Sequence, residues 1–164
     1  MTATLQTTSI EHALPTEAKA TAFGNALGCA LAPCDVLLLS GPLGAGKSHL
    51  ARACIRALMG APALTVPSPT YTLVNVYTRP SDRAEIWHAD LYRLGAAEEL
   101  NELGLEDAME HAIALVEWPE RWSSAPARHL HLDLTITGDN SRHLKLSTAG
   151  AGWDRVLTAL EFLK

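Results

Sequence analysis

The chain has 164 residues, a net charge of -5, 48% hydrophobic and 19% charged residues. That is one domain's worth of an ordinary globular balance, which excludes a disordered chain and gives enough core to fold without staples. The acidic balance argues against a protein whose main work is gripping nucleic acid unaided. No apolar run approaches the ~18 residues of a membrane span. The first basic residue is Lys19, too late for the basic start of a secretory signal, so the cytoplasm is the expected location.

In chain order, a short polar strand is predicted at residues 4–8. Pro15-Thr16-Glu17 then opens a helix in which Phe23, Leu27 and Leu31 recur every four residues, and Pro33 ends it. Residues 36–40 form a continuous apolar run, the pattern of a parallel strand buried on both faces. A glycine-rich turn follows, then a helix over residues 47–59 that stops at Gly60. Residues 65–66 read as a short strand before Pro67-Ser68-Pro69. Residues 72–77 and 85–89 read as a hairpin around the turn signal at 79–82.

Residues 96–103 and 106–111 read as short helices joined at Gly104. Residues 113–116 give a second buried apolar strand. From Leu130 to Ile136, and again through Leu144 and Leu146, leucines alternate with polar residues, which predicts an antiparallel pair with one wet face carrying His129 and His131. Trp153, Val156, Leu157, Leu160 and Leu163 mark a closing amphipathic helix. The whole predicts an α/β sandwich on a mixed sheet with a C-terminal antiparallel pair; with the GxxxxGK[ST] segment at residues 41–48 the expectation becomes a P-loop NTPase-like, mainly parallel three-layer sandwich. Cys29, Cys34 and Cys54 form no CxxC pair and leave one over, which disfavours a disulfide framework or zinc site. Cys54 sits at helical spacing with Ala51, Ile55 and Leu58 and reads as core.

The strongest motif is Gly41-Pro42-Leu43-Gly44-Ala45-Gly46-Lys47-Ser48, which fits GxxxxGK[ST] between a buried strand and a helix. The glycines let successive backbone N–H groups turn inward to phosphate oxygens, and the helix start adds partial positive charge. Lys47 reaches the β- and γ-phosphates, and the Ser48 hydroxyl is a Mg²⁺ ligand. A triphosphate site also needs a carboxylate at the carboxyl end of a neighbouring strand. Asp90 and Glu117 stand at two such ends. Either can hold Mg²⁺ or orient water. An acid closing a strand can equally be solvated or cap a turn; the P-loop upstream favours function. No Asn-Lys-x-Asp segment of the guanine-reading kind is present, which favours ATP.

The P-loop, SPTYTLV at 68–74, HADLYRL at 88–94 with Glu98-Glu99-Leu100 and Glu102-Leu103-Gly104-Leu105 behind it, VEWPE at 116–120 and Arg142 together resemble the TsaE (YjeE) family. These are small bacterial P-loop ATPases of tRNA threonylcarbamoyladenosine synthesis, and the resemblance spans most of the chain. It implies that Gly44, Ala45, Gly46, Lys47, Ser48 and His49 bind ATP. It puts Ser48 and Glu117 on Mg²⁺, and Asp90 at the nucleotide. Thr70 falls in a switch-like segment sensing the γ-phosphate or its metal, with Lys47, Thr70, Asp90 and Glu117 forming the catalytic set. Trp118 packs close by, or is a plain core aromatic. The helix start at Thr16 approaches the adenine. Arg142 contacts nucleotide or partner, or makes a surface salt bridge.

The resemblance also implies TsaD and TsaB as protein partners, with tRNA met only through their complex. Two positions depart from the family: His49 stands where Thr or Ser is usual, and Ala89 where Phe or a similar apolar residue is usual. A small-molecule kinase or a nucleotide-dependent binding switch would share the P-loop. The first predicts an arginine-bearing lid, and no stretch with several arginines a turn apart is present.

Overall fold

The computed structural model describes residues 7–123 and 125–163. Among the described residues seven strands form one sheet in the order β1-β7-β6-β2-β5-β4-β3. At its centre lies β2 (Val36–Ser40), buried at every position, with β5 (Ile113–Glu117) and β6 (His129–Ile136) parallel on its two sides. Next to β5 comes β4 (Glu85–Asp90), also parallel, and then β3 (Val74–Thr78), antiparallel through the hairpin. On the other side β7 (Arg142–Ala149) returns antiparallel to β6, and β1 (Ser9–Leu14) pairs antiparallel to β7. Five of the seven strands (β1, β2, β4, β5, β6) therefore run in one direction.

Alternation along the central strands feeds two separate cores. Leu37, Leu39, Ile113 and Leu115 face α1 (Glu17–Ala30), α2 (Lys47–Met59) and α5 (Asp154–Glu161). Val36, Leu38, Ala114 and Val116 face the other layer, with Leu100 of α3 (Ala97–Glu102), Leu105 of α4 (Leu105–Ala108) and Trp122. Three layers result. Helix α1 starts where Thr16 Oγ1 accepts from the Lys19 backbone N–H at 3.2 Å, an N-cap bond that satisfies an otherwise orphaned donor. It then lies close on α2: a Cβ at Gly28 would stand 2.5 Å from the Cys54 carbonyl oxygen, and one at Gly24 would stand 2.6 Å from the Ala53 Cβ.

The edges depart from the sequence expectation. Of the strand predicted at 4–8, residues 4–6 lie outside the described residues, and the strand of this region is β1 at Ser9–Leu14. Its core-facing positions include His12, buried against Phe23, and a polar residue at a core position masks the alternation. Residues 65–66 form no strand: the Leu64 and Val66 carbonyls accept instead from Arg56 Nε at 2.8 Å and Arg52 Nε at 3.0 Å, so α2 replaces a sheet neighbour. Strand β3 begins at Val74 rather than 72 because Leu73 has a φ of 65°. The second of the two short helices ends at Ala108. The face of β6 expected to be wet is half-covered: His131 Nε2 lies 2.7 Å from Ser40 Oγ, and burial lowers the His131 pKa.

Candidate functional site

Four segments meet at the carboxyl end of the central strands. The loop after β2 turns into α2 at Gly46, whose φ of 101° is a left-handed value that a side chain would disfavour. Lys47 is buried at once. Its Nζ donates to the carbonyls of Gly41 at 2.6 Å and Pro42 at 3.0 Å, and stands 3.9 Å from the ring centroid of Trp118. Burial lowers the Lys47 pKa, while Glu117, Glu120 and Asp90 pull it back up. Three carboxylates thus act through space on one ammonium that is already held by its own loop.

Strands β4 and β5 end in register, with Asp90 opposite Glu117. Both carboxylates are buried, and each oxygen of each has a partner. Ser48 Oγ donates to Glu117 Oε2 at 2.8 Å, and His88 Nε2 lies 2.8 Å from Glu117 Oε1. Thr70 Oγ1 donates to Asp90 Oδ2 at 2.9 Å, and the Tyr92 backbone N–H donates to Asp90 Oδ1 at 2.9 Å. Trp118 follows Glu117 with a φ of 58°, and this sharp turn lays its ring beside Tyr92, centroids 4.9 Å apart, and under Lys47. Ser48 Oγ and Glu117 Oε2 are hard oxygen donors of the kind Mg²⁺ takes from a protein when phosphate and water complete the shell.

Two cavities flank the P-loop. One of about 280 Å³ is lined by Leu43, Gly44, Lys47, Ser48, Thr70, Asp90, Tyr92, Glu117 and Trp118. The other, about 200 Å³, is lined by Leu14, Thr16, Glu17, Ala20, Ala45, Leu134 and Arg142 among others. Gly46 and His49 line both, so the cavities meet there. His49 Nε2 lies 2.8 Å from Thr21 Oγ1 of α1. Arg142 has its Nε on the Ala45 carbonyl and its Nη2 on the Gly44 carbonyl, both at 3.0 Å, with further carbonyls of the β6–β7 turn around it. It braces the loop from outside.

The structure thus brings Lys47, Ser48, Thr70, Asp90, Glu117 and Trp118 around one cavity and puts Thr16 and Arg142 on the second. His88 had no role in the sequence reading. Its i, i+2 spacing to Asp90, which puts both on one face of β4, was the available signal.

A buried strand, a glycine-rich turn braced at its carbonyls, a buried lysine and two strand-end acids define a P-loop nucleotide-binding protein. The family described as "Threonylcarbamoyl adenosine biosynthesis protein TsaE" matches residues 14–144. Among relatives, the tRNA threonylcarbamoyladenosine biosynthesis protein TsaE of Rickettsia bellii is 33% identical over 139 residues, 84% of this chain and 94% of that one. The protein of the same name from Nostoc sp. is 37% identical over 131 residues, 76% of each. A solved structure, "Crystal structure of Bacillus subtilus YdiB", shares the fold with a TM-score of 0.69 at 23% identity, covering 98% of this chain and 97% of that one. The chain belongs to the TsaE family.

Proposed function

We propose that this chain, acting as one domain over residues 1–164, binds ATP with Mg²⁺ across the two cavities and hydrolyses it. On this reading it is the ATPase of the cytoplasmic machinery that makes threonylcarbamoyladenosine in tRNA, at the adenosine next to the anticodon. It acts on the TsaD–TsaB complex and meets tRNA only through that complex. The observation that carries the reading is the Ser48–Glu117 bond at 2.8 Å beside buried Lys47: hydroxyl, carboxylate and ammonium converge where a P-loop places the outer phosphates.

Residue roles follow from position. Gly44, Ala45 and Gly46 wrap the phosphates, and Lys47 exchanges the Gly41 and Pro42 carbonyls for phosphate oxygens. Ser48 and Glu117 hold Mg²⁺, which when bound neutralises charge on the outer phosphates. Thr70 and Asp90 face the same cavity from the other side and orient water or metal. His49 sits where the cavities join, beside the middle of the nucleotide. Thr16 and Arg142 wall the adenine end. The cavity is lined by exposed Leu43 and Tyr92, and exposed Tyr71 follows Thr70 in the chain, apolar surface that suits a protein partner near the site. Net charge of -5 points the same way.

The test is Lys47→Ala with wild type alongside, measured for ATP binding by calorimetry and for phosphate release with and without TsaD and TsaB. The variant should lose productive ATP binding, and the wild type should be stimulated by the partners. Unchanged hydrolysis in the variant removes the P-loop from the mechanism.

A further inference from the structure

His88 is fully buried in β4. Nε2 lies 2.8 Å from Glu117 Oε1, and Nδ1 is buried without a hydrogen-bond partner among the described residues. These facts fix where its hydrogen sits. A hydrogen on Nδ1 would be a buried, unpaired donor, and a bare Nε2 would set its lone pair against those of the carboxylate. Nε2–H therefore donates to Oε1.

The opposite oxygen of the same carboxylate takes the Ser48 hydroxyl. The terminal torsion of a glutamate is soft, with no sharp rotamer to hold the carboxylate plane. Glu117 is nonetheless required, on the reading proposed above, to show one oxygen to the position Ser48 marks. We infer that His88 is the positioning residue that does this: it clamps Oε1, fixes the carboxylate plane and commits Oε2 to the side of Ser48. The inference rests on the ATPase reading of the site. Groups that orient a metal-binding side chain in this way typically contribute about 10- to 100-fold in metal affinity or activity.

The experiment compares wild type, His88→Leu and His88→Gln in the full chain. A fluorescent ADP analogue is titrated in EDTA to read contact with the P-loop. Mg²⁺ is then titrated against protein saturated with a non-hydrolysable ATP analogue, and kcat and KM for ATP are measured with TsaD and TsaB. Thermal melts give the folded fraction. His88→Leu should keep metal-free ADP affinity, while its Mg²⁺ midpoint rises and its kcat/KM for MgATP falls, each by about 10- to 100-fold. His88→Gln, whose amide N–H can reach Oε1, should recover most of both.

A folded His88→Leu with wild-type Mg²⁺ midpoint and kcat/KM overturns the assignment, as does a His88→Gln no better than Leu. If His88→Leu does not fold, His88→Asn replaces it: its shorter amide falls short of Oε1, so Asn equal to Gln overturns the assignment and Asn below Gln supports it. A wild type that neither binds nor hydrolyses ATP overturns the ATPase reading and this inference together. A wild type active in both, beside an equally active His88→Leu, overturns only the role of His88.

Discussion

Thr70 Oγ1 donates to Asp90 Oδ2 at 2.9 Å, tying a loop residue to the last position of a core strand. The bond is reinforced by Ser68 Oγ, 2.7 Å from the same threonine oxygen. The loop is also fastened at its exit, where Leu73 N–H donates to the Pro69 carbonyl at 2.7 Å and the Leu73 carbonyl accepts from Asp90 N–H at 2.9 Å. Between these anchors only a few residues are free to respond to a ligand. A γ-phosphate or its metal drawing Thr70 Oγ1 away from Asp90 would rearrange this stretch alone. Amide hydrogen exchange over residues 68–73 should therefore differ between ADP and a non-hydrolysable ATP analogue. Equal protection in the two states excludes the switch.

Glu117→Ala should keep measurable nucleotide binding through the P-loop and lose most hydrolysis. It leaves the Ser48 hydroxyl and the His88 N–H without their carboxylate, which costs on the order of 1–3 kcal/mol of stability for a group left unsatisfied. Calorimetry and phosphate release, each normalised to folded protein by a thermal melt, read the two effects separately. Normal hydrolysis per folded molecule would move the catalytic assignment to Asp90.

The three thiols should divide cleanly. Cys29 and Cys34 are exposed, whereas Cys54 is buried and its pKa is pushed up to about 12 by burial. Because the thiolate is the reactive form, iodoacetamide near neutral pH should label the first two in the native protein and Cys54 only in denaturant, as read by mass spectrometry. The same shift has a sign for stability. The folded pKa lies above the ordinary 9.0, so below pH 9 the thiol is protonated in both states and contributes no pH dependence. Between pH 9 and 12 the unfolded chain ionises first, and stability falls by roughly 4 kcal/mol across that window. Cys54→Ala should flatten this part of the stability profile.

Gly28→Ala should destabilise the fold by about 1–3 kcal/mol through overpacking. The added methyl would meet the Cys54 carbonyl oxygen at 2.5 Å and its Cα at 2.9 Å, and backbone cannot step aside as a side chain would. The same helix carries Thr16 and Glu17 on the wall of the second cavity. Nucleotide affinity should therefore drop with the melting temperature. A variant with wild-type melting temperature would show that α1 shifts on α2 at little cost.

What was legible in the sequence is what neighbours along the chain determine. Residues 36–59 combine an apolar run, a glycine turn and a helical period, and the structure places strand, loop and helix there with the expected ends. The core role of Cys54 follows from the same helical spacing. Illegible features depend on distant partners. His12 faces the core in β1, which no alternation rule predicts for a histidine. Residues 65–66 have a strand-like composition but give carbonyls to arginines of α2. The i, i+2 spacing puts His88 on the Asp90 face of β4, but its bond to Glu117, 29 residues on, depends on the pairing of β4 with β5. The side chain of Arg142 meets loop carbonyls 97 and 98 residues earlier, and no local pattern encodes that.

That last brace has a consequence for how the protein is made. A ribosome releases the phosphate-binding loop at residues 41–48 long before Arg142 of β7, and β1 must also wait for β7 to gain its neighbour in the sheet. During translation, at about 5–20 residues per second, the emerging chain carries a loop whose Gly44 and Ala45 carbonyls have no arginine to hold them. A partly synthesised chain therefore lacks this brace, which arrives late, with the strand that gives β1 its neighbour in the sheet.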